Sequence, residues 1–202
     1  VEPGRVLPAG SCCMSLDVET ILERLRTVLD PVDGPLVEKP SRGDGDLNDM
    51  PMPSGRKLKP AAVLALLVKR EPGLTVLFPR RADHLQAHAG QVSFPGGRQM
   101  AGRETLAECA LRETEEEVGL KPDQITLLGR WETYETGTGY AVTPFAGVIE
   151  PGFDLSPDPG EVAEVLARQT ETLVEEAKKD KPNRTMLGIS ADGLKQAAET
   201  VA

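Results

Sequence analysis

Between Gly96 and Leu120 the chain reads GGRQMAGRETLAECALRETEEEVGL. The two glycines follow Phe94-Pro95 and mark a tight turn. From 104 to 118 the apolar spacing predicts a helix, closed by Gly119 as a left-handed cap. Ala107, Leu111, Thr114 and Val118 fall on one stripe that can pack on a sheet, while Glu113, Glu116 and Glu117 cluster at i, i+3 and i+4. Six Glu and two Arg between 103 and 117 leave a local balance of −4. The ordinary reading of such a run is a solvated helix face. Like charges on one face nevertheless repel unless a cation sits among them, and a hard divalent ion such as Mg²⁺ or Mn²⁺ takes oxygen ligands. Arg112 can neutralise part of the cluster through its i+4 partner Glu116, and Glu115 projects elsewhere. A glycine turn lets the backbone approach a ligand without a Cβ in the way. Turn and acidic helix together therefore suit a metal ion and a diphosphate.

The remaining sequence supplies the frame. The 202 residues exceed the ~150 of a typical domain by a margin that fits one domain with an extension. Lys plus Arg is 23 and Asp plus Glu is 32, a net charge of −9, which argues against a nonspecific binder of nucleic acid or anionic membrane. No apolar run is long enough to span a bilayer, and no apolar signal-type segment is evident at the start. Three cysteines do not make a disulfide framework, so the expected location is a reducing cytoplasm. All seven aromatic residues lie between Phe78 and Phe153, which places the expected core there.

Helical spacing is read over 15–29, with Val18, Ile21, Leu22, Leu25, Val28 and Leu29 as its apolar positions and Asp30-Pro31 as its end. Apolar runs at 60–69 and 74–78, joined by Glu71-Pro72-Gly73, read as strand, turn and strand, and 125–132 and 140–149 read as further strands. The charged stretch 161–179 reads as an amphipathic helix, with another at 191–201. Residues 1–13 are expected to be an unstructured leader, with Met14 as an alternative start, and 31–59, rich in Pro, Gly, Asp and Ser, a mobile linker. The expected division is 1–57, leader, helix and linker, and 58–202, the functional domain. Strands and helices without regular alternation indicate an α+β or mixed α/β sandwich.

The segment from Gly97 to Leu120 resembles the signature box of the Nudix hydrolases, G-x5-E-x7-R-E-U-x-E-E-x-G-U with U apolar. Glu104 follows Gly97 after six residues, and seven more precede Arg112-Glu113-Thr114-Glu115-Glu116-Glu117-Val118-Gly119-Leu120. The first spacer is one longer than the pattern, and Thr114 stands at an apolar position. The longer spacer resembles one branch, the coenzyme A diphosphatases, whose upstream signature is R-x3-G-x3-F-P-G-G. Gly90 and Phe94-Pro95-Gly96-Gly97 match it, whereas Gln86 replaces its Arg. Downstream, Thr138-Gly139-Tyr140-Ala141-Val142-Thr143-Pro144 and the acidic stretch from Asp158 to Val165 are also similar to the branch. Beyond 165 the resemblance fades.

The resemblance implies a Nudix α/β/α sandwich with a mixed sheet between helices. It implies Mg²⁺- or Mn²⁺-dependent cleavage of the diphosphate of coenzyme A to 4′-phosphopantetheine and adenosine 3′,5′-bisphosphate. By motif match, Glu113, Glu116 and Glu117 are metal ligands with the Gly97 carbonyl, Arg112 orients the carboxylates, and Glu116 or Glu117 accepts a proton from water. Glu104 matches the first Glu of the box in a supporting role. Candidate substrate contacts are His88, Gly96, Arg98 and Tyr140; for Tyr140 a core position is the plainer reading. His84 and His88, four apart, have a zinc-binding spacing, but neighbouring glycines favour a loop. Cys109 reads as a small packed residue. Because an amide cannot replace a guanidinium's charge, Gln86 leaves Arg80, Arg81 or Arg98 to compensate, and keeps ADP-ribose and NADH open as rival substrates. A non-catalytic Nudix-fold binding module is the other alternative. The implied partner is a small-molecule nucleotide, not nucleic acid or membrane, with a homodimer as the candidate assembly.

Overall fold

Leu64, Leu66 and Val68 face one side of a strand and Leu67 the other, and all four are buried, so this strand must lie between two layers. The computed structural model describes residues 17–35, 40, 42–44, 55–70, 73–86 and 88–169. Within them the elements are α1 (Val18–Val28), β1 (Arg42–Gly43), β2 (Lys59–Lys69), β3 (Leu74–Arg81), β4 (Gly96–Arg98), α2 (Leu106–Val118), a short 3₁₀ turn (Pro122–Gln124), β5 (Thr126–Arg130), β6 (Tyr134–Glu135), β7 (Tyr140–Ile149) and β8 (Val162–Gln169).

One mixed sheet runs in the order β1-β6-β7-β2-β3-β8, with β4 also on β2 and β5 also on β7. The centre is the parallel pair β2 and β7, in register from Lys59 opposite Tyr140 to Val68 opposite Ile149. The other edge of β2 is shared. Its first half pairs antiparallel with β4, Ala62 opposite Gly97, and its second half with β3, Leu66 opposite Leu77. Helix α2 covers one face, where Ala62, Leu64, Leu66, Val68, Leu77 and Phe145 meet Ala107, Ala110 and Val118. Helix α1 covers the other, where Leu22, Leu25 and Leu29 meet Leu67, Leu74, Val76, Phe78 and Val148. This is the expected sandwich of helices about a mixed sheet. No helix among the described residues is long and apolar enough to cross a membrane.

Three expectations need correction. The stretch from 161 was read as a helix, but Val162–Gln169 is an edge strand antiparallel to β3. Its apolar residues mimic helical spacing because the strand is covered on both faces: Val165 packs toward α2 and Leu166 toward α1. The linker expected to be mobile is pinned where it is described. Arg42–Gly43 pairs with Tyr134–Glu135, and the Asp44 carboxylate accepts hydrogen bonds from the Tyr134 hydroxyl at 2.8 Å and the Gly137 amide at 2.6 Å. Val28, read as part of the apolar face of α1, is 56% exposed. Residues 1–13, the stretch from 170 to 179 and the expected helix at 191–201 lie outside the described residues.

Candidate active site

Helix α2 starts at a capping box: the Thr105 side chain accepts the Glu108 amide and the Glu108 side chain accepts the Thr105 amide. This satisfies two orphan donors and sets the helix phase. At the other end Gly119 adopts φ 79°, a conformation that costs a glycine little. The chain then returns so that the Ser156 amide donates to the Val118 carbonyl and the Asp158 amide to the Glu117 carbonyl, at 3.0 and 3.1 Å. The predicted stripe is buried or half-buried against the sheet. Thr114 is fully buried on it and is tolerated because its hydroxyl donates to the Ala110 carbonyl at 2.7 Å.

With that face fixed, the acidic face turns toward β4. Arg112 is its hub. Its Nε and Nη2 hold Glu104 bidentately at 2.9 and 3.0 Å, while Nη1 lies 2.8 Å from Glu113 Oε1 and 2.9 Å from Glu116 Oε2. Glu104 also accepts the Met100 amide at 2.8 Å. The guanidinium is the main reason the Glu104 carboxyl is held down at about 2, and the same bond raises Arg112 further above its ordinary range. Gly97 has a steric role. A Cβ there would lie 2.5 Å from the Glu113 carboxyl carbon, so only glycine lets that carboxylate rest on the β4 backbone. Behind it, the buried Cys109 thiol donates to the Gly97 carbonyl at 3.6 Å, and burial pushes the thiol up to about 12.

Glu117 differs from its neighbours. It is 6% exposed. Burial first, then the charges of Glu113 and Glu161, push its carboxyl up to about 8, against the opposing pull of Arg81 and the Gly96 amide. Burial also raises Glu113. Glu116 is exposed and turned to Arg112. Among the described residues no three acidic, His or Cys side chains are gathered as a ready metal cage; Arg112 is the cation that draws Glu113 and Glu116 together.

The other candidates divide. Gly96 donates toward Glu117 and so belongs to the site. Arg98 follows it on β4 and is exposed. Tyr140 opens β7 half-buried, with the Lys59 ammonium 5.6 Å from its ring centre. His88 is exposed in a turn at φ 58°, its Nδ1 2.9 Å from Gln91 Oε1; with His84 also exposed off any helix, the helical zinc spacing does not apply. Two residues act on the site from outside the box. Glu161 lies in the acidic stretch noted in the sequence, but only the return of the chain onto the end of α2 brings its charge to Glu113 and Glu117. Arg81 ends β3.

These features occur within a segment that matches a family model. The NUDIX domain model covers residues 58–187, more than half of the chain. The chain belongs to the Nudix family. Its relatives include two proteins named uncharacterized Nudix hydrolase NudL. That of Photorhabdus laumondii is 39% identical over 106 residues, covering 52% of this chain and 56% of the relative. That of Yersinia enterocolitica is 42% identical over 103 residues, covering 51% and 52%. The aligned part thus spans about half the length of these curated relatives. In fold, the chain is similar to the crystal structure of the Nudix hydrolase RenU from M. smegmatis, with a TM-score of 0.56 and 23% identity over 71% of this chain and 88% of that one. It is also similar to a C. elegans Ap4A hydrolase, with a TM-score of 0.50 and 17% identity over 71% and 94%.

Proposed function

We propose that this Nudix domain hydrolyses the diphosphate bond of coenzyme A or its derivatives to 4′-phosphopantetheine and adenosine 3′,5′-bisphosphate. The domain is taken as 58–202, with α1 an addition packed on its sheet. Mg²⁺ or Mn²⁺ would be held by Glu113, Glu116, Glu117 and the Gly97 carbonyl. In chemistry the donor set fits, being all oxygen and suited to hard ions, with the Glu113 carboxylate already against the Gly97 backbone; Glu116, held by Arg112, would have to turn to the ion. The observation that carries the reading is this contact of Glu113 beside Arg112, which already binds three of the box carboxylates. When bound, the ion polarises a phosphoryl oxygen and acidifies water.

The chain's own groups divide the remaining work. Arg112, fixed by Glu104, orients Glu113 and Glu116. Of the two candidate proton acceptors Glu117 is the one without a direct bond to Arg112. Glu116 is committed to Arg112. Support for coenzyme A comes from the F-P-G-G turn, the longer spacer and the T-G-Y segment. Gln86 favours a second reading, a Nudix hydrolase of ADP-ribose or NADH.

The test is chromatographic product analysis. Coenzyme A, ADP-ribose and NADH are each incubated with the full chain and Mg²⁺ or Mn²⁺, beside the Glu116→Gln/Glu117→Gln variant. Metal-dependent release of 4′-phosphopantetheine, absent from the variant, is the expected result. Cleavage of only ADP-ribose or NADH transfers the assignment to the second reading. Cleavage of none, by a folded sample that shows no specific Mn²⁺ binding, leaves a binding module.

A further inference from the structure

Three buried guanidinium Nε atoms lack a hydrogen-bond partner among the described residues, those of Arg56, Arg81 and Arg130. Two of these side chains are otherwise engaged. Arg56 donates to the Thr136 and Gly137 carbonyls at 2.8 and 3.0 Å, and Arg130 donates to the Pro35 carbonyl at 2.8 Å and lies 3.4 Å from the Asp30 carboxylate. Arg81 has no side-chain hydrogen bond and no ion pair among the described residues.

Its position makes that unusual. Side chains alternate across β3: Leu77 faces α2 and Val76 and Phe78 face α1. Arg81 falls on the α2 side, where its charge acts on Glu117. Its neighbour Arg80, on the other side, is consumed by Glu164 at 2.7 Å and Asp83 at 2.8 Å. The Arg81 backbone is clamped: its amide donates to the Gln91 carbonyl at 2.9 Å and its carbonyl accepts the Gly90 amide at 3.1 Å. The next amide, that of Ala82, donates to the Glu161 carbonyl at 2.8 Å. A guanidinium with a fixed backbone, partly stripped of water and without a partner, beside an acidic site, is prepared for an anion that arrives with its own counter-ions.

We propose that Arg81 is a substrate-binding residue that takes a phosphoryl oxygen of the nucleotide diphosphate. Of the three arginines that could offset Gln86, Arg80 is occupied and Arg98 is exposed; Arg81 alone is both free and at the carboxylates. The proposal rests on the reading of this site as one for a nucleotide diphosphate, but not on the identity of the rest of the substrate.

Calorimetric titration of the full chain, loaded with Ca²⁺, uses α,β-methylene-ADP, a diphosphate that cannot be cleaved at the bridge, with adenosine as the phosphate-free control. Arg81→Gln should weaken the analogue at least tenfold, leave adenosine unchanged, and leave Mn²⁺ affinity and thermal stability near those of the wild type. Arg81→Lys, which keeps the charge and guards against a folding defect, should recover part of the loss. In turnover of any accepted substrate the change should fall on KM more than on kcat. Equal analogue affinity in wild type and Arg81→Gln, no binding by the metal-loaded wild type, or a parallel loss of Mn²⁺ affinity would each overturn the proposal. In the last case Arg81 merely balances the carboxylates. If coenzyme A is not cleaved but analogue binding depends on Arg81, the substrate assignment fails and the proposal stands.

Discussion

Replacing Glu117 by Gln should stabilise the metal-free fold while abolishing metal binding. The fold holds the Glu117 carboxyl at about 8 against an ordinary 4.5. Between those values the native state keeps a proton that the unfolded chain has released, so stability falls as pH rises. The stabilising contribution of the protonated carboxyl is fully present below 4.5 and is lost as pH passes through about 8. At ~1.4 kcal/mol per pH unit the gap sets a ceiling of ~5 kcal/mol. Relaxation around the charge lowers this to ~2–3 kcal/mol, because effective dielectric constants in proteins exceed those of dry interiors. For a chain of this size that corresponds to roughly 5–10 °C in melting temperature.

The assay is thermal unfolding of wild type and Glu117→Gln in EDTA, from pH 5 to 8.5. Other carboxylates titrate in both proteins, so the difference between the curves isolates Glu117. The two should nearly coincide at pH 5 and diverge steadily, with the variant more stable at pH 8. Excess Mn²⁺ at pH 8 should raise the wild type and leave the variant unmoved. Parallel curves across the range would refute the argument, because they would mean that burial places no charge penalty on this carboxyl.

Gly97→Ala puts a methyl group into the Glu113 carboxylate and should cost at least tenfold in Mn²⁺ affinity, read by electron paramagnetic resonance, with a small change in melting temperature. Glu104→Gln removes the bidentate partner of Arg112 and should cost ~1–2 kcal/mol at neutral pH by urea denaturation. The Glu104 carboxyl is held down at about 2 against an ordinary 4.5, so this stability is fully present above pH 4.5 and the difference from wild type should close as pH falls from there through about 2. Thr114→Val replaces a satisfied buried hydroxyl by a methyl group. Its melting temperature should stay within a few degrees of wild type, since donor and acceptor lie in one helix turn. Leu22→Ala empties a fully buried site between α1 and the sheet and should cost ~2–5 kcal/mol in one cooperative transition.

The local features of this site were legible because local rules produce them. Gly119 closes α2 by capping, and the stripe through Ala107 and Val118 fixes which face the carboxylates occupy. The strands at β2, β3, β5 and β7 were visible as apolar runs bounded by turns. The edge strand β8 was not, since a strand packed on both faces loses the alternation that distinguishes it from a helix. Nor could spacing reveal that Glu161 and Arg81 share the site. Their proximity depends on the Ser156 and Asp158 amides capping α2 and on the pairing of β3 with β8. Gly97 was legible as a residue that admits close approach, but its neighbour, the Glu113 carboxylate, is a tertiary fact.

Charge balance joins these distant residues to the chemistry. The site collects the carboxylates of Glu104, Glu113, Glu116, Glu117 and Glu161 and the guanidiniums of Arg81 and Arg112. Five negative charges against two positive leave −3 when all are ionised, and the protein relieves part of this by keeping the Glu117 proton to about pH 8. Such a site would repel a diphosphate. A divalent ion changes the balance, favouring ionised Glu117 by direct attraction. Arg112 cannot contribute the remaining charge to a substrate, because Glu104, Glu113 and Glu116 already occupy it. Among the described residues, Arg81 is the guanidinium that acts on Glu117 without a hydrogen bond of its own. Substrate affinity should therefore respond to Arg81, and metal affinity to the box carboxylates.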